Sequence, residues 1–570
     1  MMPPHFPLLS LRFSRKRSTS VRAWTALFVC ALAGSAWAEV KLAPVFQDHM
    51  VMQRDMPVPV WGTGNPGEAV KVTFQSQTRE TKADAGGKWM VKLDPLSAST
   101  QGLDLTVQGE NTLKLDDVLV GEVWICSGQS NMEFPLKGGN NSYAEVEKAN
   151  HPMIRLFNMK GATWTGKPYT KEETARLLSS EPFFTATWAV CSPESAKDFS
   201  AVGYFFGREV NEVLKVPVGL INNALGGSPA ESWTSREALT ADPQLRPVLE
   251  GDWLDLINYD WCRNSAKQSL APWYEEAGKA KAQGAAIPPR PGHVFAPTFL
   301  FEKELLPLAP LAFRGVIWYQ GESNDRDGFA YYKKFQTMIE SWRKLWGREF
   351  PFLFVQLPDY GEDIQQHPRI TYNERSWALV RESQRAALSI PATGMAVTVG
   401  IGDRSNIHPT NKQDVGHRLA LLARQQVYGE KVVCSPMYQS MKIDGDRIVL
   451  SFSNVGDGLM AKDGILPSFV IAGADKKFYA AEATIVGATV IVRSEKVPAP
   501  VAVRYGWAMN PECDLYNKPV APARIGLPAA PFRTDDWELP TRFWQTDPDN
   551  KPSNYNETMV MDNPQWTRPK

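Results

Sequence analysis

Four apolar, strand-like runs in this chain are each followed by residues whose types could do chemistry. Ser130 follows "GEVWICSGQ", and Gly226 and Gly227 follow "GLINNAL". Gln320 and Asn324 lie in "QGESN" after "GVIWY", and Asp403 and His408 lie in "GIGDRSNIHP" after "GMAVTV". A serine hydroxyl is a weak nucleophile and needs a base within hydrogen-bond reach. A histidine titrates near neutrality, so it can take that proton and return it to a leaving alcohol. The oxyanion formed on the way needs preorganised donors. The backbone N–H of Ser130, a glycine N–H and a side-chain amide supply three, and losing one such donor costs about 100-fold or more in rate. These are the parts for serine hydrolysis. The G-x-S-x-G elbow is absent, so the common α/β-hydrolase pattern is not met.

The runs that must position these residues are Val123–Cys126, Val218–Asn222, Gly315–Tyr319, Phe352–Gln356 and Met395–Val399. They are apolar with little alternation, as strands covered on both faces are. Helical segments separate them: Ser200 is placed to cap "AVGYFFGREVNEVLK", "YYKKFQTMIESWRKLW" follows the third strand, and Thr410 is placed to cap "NKQDVGHRLALLARQQVYG". This alternation predicts an α/β, doubly wound parallel-sheet core over residues 118–430, with sites beyond the carboxyl ends of its strands. A partly helical insertion, 232–311, interrupts the core and carries Trp233, Trp253, Tyr259, Trp261, Trp273 and Tyr274. Residues 39–117 and 431–535 read as flanking β-sandwich-like domains, split by turn signals such as "GNPG", and 536–570 reads as an extended tail.

Residues 1–38 read as a signal peptide. Arg12, Arg15, Lys16, Arg17 and Arg22 precede the apolar run "WTALFVCALAGSA", and Ala36-Trp37-Ala38 offers a cleavage site. The run is too short to span a membrane, so an exported protein without a membrane anchor is expected, periplasmic or extracellular. Removing the segment's five basic residues leaves 57 basic against 62 acidic, a net charge of −5. A mildly acidic surface argues against nucleic acid or an anionic membrane as partner. The remaining cysteines, Cys126, Cys191, Cys262, Cys434 and Cys513, are odd in number and widely spaced; they read mostly as buried thiols, with room for one bridge. No His/Cys cluster suggests a metal, and serine hydrolysis calls for no cofactor.

Taken together, "GEVWICSGQSNMEF", "GLINNALGGSPAESW", "GVIWYQGESN" and "IHPTNKQDVGHRLALLA" resemble the sialate O-acetylesterase family, within the wider SGNH hydrolases. "HMVMQRDMPVPVWG" and "LYNKPVAPARIGLPAAPFRTD" resemble the same family outside the core. The resemblance implies a secreted carbohydrate O-acetylesterase with Ser130 as nucleophile and His408 as general base and acid. Gly227, with Gly226 as alternate, would give a backbone oxyanion donor, and either Asn324 or Gln320 the amide. SGNH hydrolases commonly place an Asp three residues before the histidine; here Ser405 stands there, and Asp403 is the nearest upstream carboxylate. Either Asp403 completes a triad or the machinery is a Ser–His dyad. Glu302 stands where the family tends to have Asn.

Two further readings set bounds. Glu133 and Glu322 are available as a carboxylate pair for glycoside hydrolysis, though Glu322 reads better as a loop-holding group. A non-catalytic glycan-binding protein with a degenerate hydrolase core is the alternative of a different class. For the substrate, O-acetyl sialate would want a basic clamp, for which Arg381 and Arg404 are candidates. The aromatic insertion and acidic surface fit acetylated plant polysaccharides of xyloglucan or xylan type at least as well.

Overall fold

A computed structural model describes residues 39–161, 166–179, 183–257, 260–328, 330–361, 377–520 and 526–537. The expected signal peptide, Tyr259 and all but the first two residues of the expected tail lie outside these. From Glu39 onward the described residues form one compact unit.

Its centre is a mixed, mostly parallel sheet built from β1 (Thr112–Gly128), β2 (His151–Asn158), β3 (Trp188–Cys191), β4 (Val218–Ala224), β5 (Gly315–Tyr319), β6 (Phe352–Val355) and β7 (Thr393–Ala396). Across the sheet they run β3-β2-β4-β1-β5-β6-β7. All neighbours are parallel except β2 and β3. The chain crosses over β1 between β4 and β5. Loops leaving β4 and β5 therefore flank the end of β1, which is where open α/β sheets gather their ligands.

The sheet is covered on both faces, as its unbroken apolar strands require. The principal helices are α1 (Ser130–Glu133), α2 (Ala201–Leu214), α3 (Tyr331–Trp346), α4 (Trp377–Ala386) and α5 (Lys412–Gln426). Trp124 pairs in register with Gly315 and meets Phe206 of α2 edge-on. Trp318 pairs with Ser127, one residue out of phase, so it points the other way and packs on Phe335 and Trp342 of α3. Helices α2 and α5 pack together closely, since a Cβ at Gly416 would stand 2.6 Å from the Cβ of Phe205. Ser200 caps α2 as expected, its hydroxyl accepting from Gly203 N–H. The cap of α5 differs from expectation. Asn411 takes it, accepting from Asp414 N–H, while Thr410 donates its hydroxyl to Asn140.

The expected boundary at 117/118 falls inside β1, a strand of 17 residues. Its first half pairs antiparallel with Ser99–Gln108, and its second half is the buried centre of the parallel sheet. One strand thus serves both the N-terminal β region and the core. Residues 437–533 form antiparallel sheets, including the four-stranded order Met437–Asp444, Arg447–Ser453, Thr489–Arg493, Glu482–Val486. The insertion carries the helices Asp260–Ser269 and Ala271–Ala282. All five described cysteines are buried and unbridged.

Candidate active site

Strand β1 ends at Gly128, whose φ is +135° and where a Cβ would lie 2.2 Å from the Tyr319 carbonyl oxygen. Only glycine lets the backbone turn there while still pressed against β5. The turn puts Ser130 at the first position of α1, where a backbone N–H has no partner within the helix. Gln129 ties the turn to the neighbouring loop: its N–H donates to the Tyr319 carbonyl, and its side-chain oxygen accepts from Ser323 N–H.

His408 comes from 278 residues away, and its Nε2 lies 2.7 Å from Ser130 Oγ. That is a hydrogen bond of the length a nucleophile and its base require. The imidazole lies over the Phe134 ring with centroids 6.4 Å apart. Burial holds its pKa below the ordinary value, and the nearby Lys412 ammonium adds to that.

The two expected glycines differ in use. Gly226 N–H donates to the Glu133 carboxylate at 2.7 Å. Burial pushes the Glu133 carboxyl up in pKa, with this bond opposing. Gly227 has φ +75°, its carbonyl accepts from the Ser323 hydroxyl, and no hydrogen bond involves its N–H among the described residues. Phe295 of the insertion packs so closely here that a Cβ on Gly227 would stand 2.9 Å from its ring.

The two amides also differ. Gln320 is spent: its Nε2 donates to Asn324 Oδ1 at 2.7 Å and to the Ser228 carbonyl at 3.3 Å, and its Oε1 accepts from the Tyr331 hydroxyl. Asn324 Oδ1 accepts from Gln320 and Ala230 N–H, while its Nδ2 donates once, to Glu231. An amide nitrogen carries two hydrogens, so one of Asn324's has no acceptor among the described residues. Behind it, Glu231 is buried against Lys334. Burial raises the Glu231 pKa, but the Lys334 charge and hydrogen bond outweigh it and leave the carboxyl below its usual range.

Asp403 is not brought to the histidine. Its Oδ1 accepts from Ser405 N–H, the Ser405 hydroxyl and Asn406 N–H, which is an Asx-turn arrangement inside its own loop. No carboxylate hydrogen-bonds to His408 among the described residues; its backbone N–H donates to Asn406 Oδ1. Nor do Glu133 and Glu322 form a carboxylate pair for glycoside hydrolysis. Glu322 is fully buried and accepts from Asn131 Nδ2 at 2.6 Å, and burial raises its pKa. The aromatic residues of the insertion divide between core and surface, with Trp261 exposed. Trp233 is core, and the rings of Trp253, Trp273 and Tyr274 surround the Arg290 guanidinium at 4.9, 5.2 and 5.4 Å.

Known proteins share this frame. A family model described as carbohydrate esterase, sialic acid-specific acetylesterase matches residues 120–244 and 302–425. The rat sialate O-acetylesterase is 30% identical over 451 residues, covering 71% of this chain and 77% of the relative. The chain belongs to the sialate O-acetylesterase family. The human member is 27% identical over 543 residues, covering 87% of this chain and 93% of its own. A solved structure of a carbohydrate acetylesterase from Xanthomonas citri is 37% identical, with TM-score 0.69, covering 87% of this chain and 100% of that one. The stretch between the two matched segments, 245–301, lies within the expected insertion.

Several site residues escaped sequence reasoning: Asn131, Glu231, Lys334, Lys412 and Asp359, whose Oδ2 accepts from Gly400 N–H at the start of the histidine loop. Asn131, Glu231 and Lys412 stand inside the family-like motifs, which was the only signal available for them.

Proposed function

We propose that the protein is an exported carbohydrate O-acetylesterase of SGNH type that releases acetate through an acyl-enzyme on Ser130. The observation that carries this reading is the 2.7 Å contact between Ser130 Oγ and His408 Nε2 at the carboxyl end of β1. Ser130 Oγ attacks the acetyl carbonyl carbon while His408 Nε2 takes its proton. The oxyanion is met by the N–H groups of Ser130 and Gly227 and by Asn324 Nδ2, with Gln320 fixing Asn324 from behind. His408 then protonates the departing sugar oxygen. Water, deprotonated by the same imidazole, attacks the acetyl-serine, and acetate leaves as Ser130 recovers its proton. His408 works without Asp403, as a dyad. Residues 1–38 direct export and are removed after Ala38.

The substrate is an acetylated neutral glycan of xyloglucan or xylan type, in preference to O-acetyl sialate. Of the two candidate clamps, Arg381 is buried with four of its five N–H donors on the carbonyls of Leu357, Pro358, Ala508 and Met509, so it does not face a sialate carboxylate, and only the exposed Arg404 is left for that role. Acetate release from acetylated xyloglucan, acetylated xylan and O-acetyl sialate, measured side by side, tests this. Faster turnover of the sialate would contradict the preference. Ser130→Ala should abolish release from all three while leaving glycan binding intact; full activity in that variant would end the proposal.

A further inference from the structure

Asn131, the residue after the serine, reaches the residue before the histidine. Its Nδ2 donates to the Ile407 carbonyl at 2.9 Å and to Glu322 Oε1 at 2.6 Å, and its Oδ1 accepts from Lys412 Nζ. Both N–H groups and the carbonyl of this buried amide are therefore engaged. Its orientation is forced. The Ile407 carbonyl can only accept, so a flipped amide would lose that contact. Lys412 is itself buried, with its ammonium over the Phe134 ring at 4.8 Å and the Tyr319 ring at 5.3 Å. Phe134 is the ring on which His408 rests.

We infer that Asn131, oriented by Lys412 and Glu322, is a positioning residue that holds His408 against Ser130, where no carboxylate among the described residues reaches the imidazole. This rests on the Ser130–His408 reading above. The clamp joins the two halves of the dyad through a single side chain: Asn131 is fixed to Ser130 by the chain and to His408 through the Ile407 carbonyl. It touches neither the acetyl group nor the reacting atoms. A misplacement of the base of about 1 Å is enough to cost about 100-fold in rate, which is the scale of effect the clamp controls.

The test uses the full chain and hydrolysis of 4-nitrophenyl acetate, with thermal unfolding followed on the same samples. Asn131→Ala should lower kcat by about 100-fold while KM stays within about threefold. Because alanine also leaves a hole beside Glu322, a second variant separates clamping from packing. Asn131→Asp combined with Glu322→Gln keeps the volume, keeps an acceptor for Lys412 and reverses the donor–acceptor sense of the contact between the two positions. It still cannot donate to the Ile407 carbonyl. The inference predicts that this double variant unfolds near the wild-type temperature yet keeps the kcat deficit. A double variant with wild-type kcat overturns the inference, as does a loss confined to KM or one that merely tracks the unfolded fraction. Ser130→Ala runs alongside. Turnover in Ser130→Ala overturns the underlying reading and the clamp with it; an inactive Ser130→Ala beside a fully active double variant overturns the clamp alone.

Discussion

In the proposed reaction the nucleophile turn, Gly128–Glu133, and the histidine loop, Gly400–Pro409, carry the two halves, and they are built in opposite ways. The turn grows straight out of the central strand, and four of its six residues are buried outright. Its carbonyls, amides and side chains are tied to β5, to the loop after β4 and to the histidine loop. The histidine loop is exposed over residues 403–406 and hangs from a few anchors. One is Asp359 beyond β6, whose Oδ2 accepts from Gly400 N–H at 2.6 Å; a second is the Arg404 carbonyl, which accepts from Gly361 N–H at 3.0 Å; a third is Asn131 at Ile407. Between them Asp403 organises only its own turn. The rigid half thus lends its order to the loose half. On the proposed reading, precision in the dyad depends on where the loop is pinned, more than on what the loop contains.

That contrast can be broken at several points, in decreasing order of effect. His408→Ala removes the base itself and should lower kcat by at least about 1,000-fold, read as acetate release at saturating substrate. Asp359→Asn leaves the side chain's shape but weakens an acceptor that holds Gly400. Burial raises the Asp359 pKa against the opposing Arg381 charge and Gly400 bond, so the carboxylate is already costly to keep ionised. A kcat loss of about tenfold is expected, since a charge-assisted hydrogen bond is worth about 1.5–3 kcal/mol and part of it survives in the amide.

Lys412→Met should act through pH. The His408 pKa lies below its usual value because of burial first and the Lys412 charge second. Since the base must be neutral, activity falls as pH drops through that pKa. Removing the charge raises the pKa, so the acid limb of the kcat/KM profile should move to higher pH. Stability gives a second readout. Burial lowers the Lys412 pKa to about 7, partly offset by Glu322. Between about 7 and the usual lysine value near 10.4 the unfolded chain binds the proton that the folded one has lost, so folding gains stability as pH rises. The cost of the buried charge is fully present below about 7 and is relieved as pH climbs toward 10. Lys412→Met should lose that rise in a comparison of unfolding temperature against pH. Smallest of all, Asp403→Asn should keep kcat within about threefold of wild type, because its carboxylate serves Ser405 and Asn406 rather than the imidazole. A loss of more than about 100-fold there would restore the triad.

The core strands were legible because a sheet covered on both faces writes itself as apolar runs; β4, β5 and β6 begin where the runs predict. Strand β2 was not legible, since Pro152 and Arg155 interrupt "HPMIRLFN". Only the fold supplies the partner for that arginine, Asp117. The edge strand β3 is four residues long and antiparallel, too short to announce itself. Ser130, Gly227, Asn324 and His408 could be nominated because each follows a strand. Asp403 was nominated by its nearness to the histidine, yet the local pattern D-R-S-N is itself an Asx-turn signature, and local bonds won. The Asn131–Lys412–Glu322 group joins positions as much as 281 residues apart, a relation that no local pattern encodes.

The central claim is that Ser130 carries the acetyl group between the two half-reactions. Rapid acid quench of the enzyme turning over an acetyl ester, followed by peptide mapping, tests it directly. The account predicts an acetyl adduct on Ser130 that forms in wild type and is absent from Ser130→Ala. An adduct on another residue, or undiminished acetate release from Ser130→Ala, would contradict it.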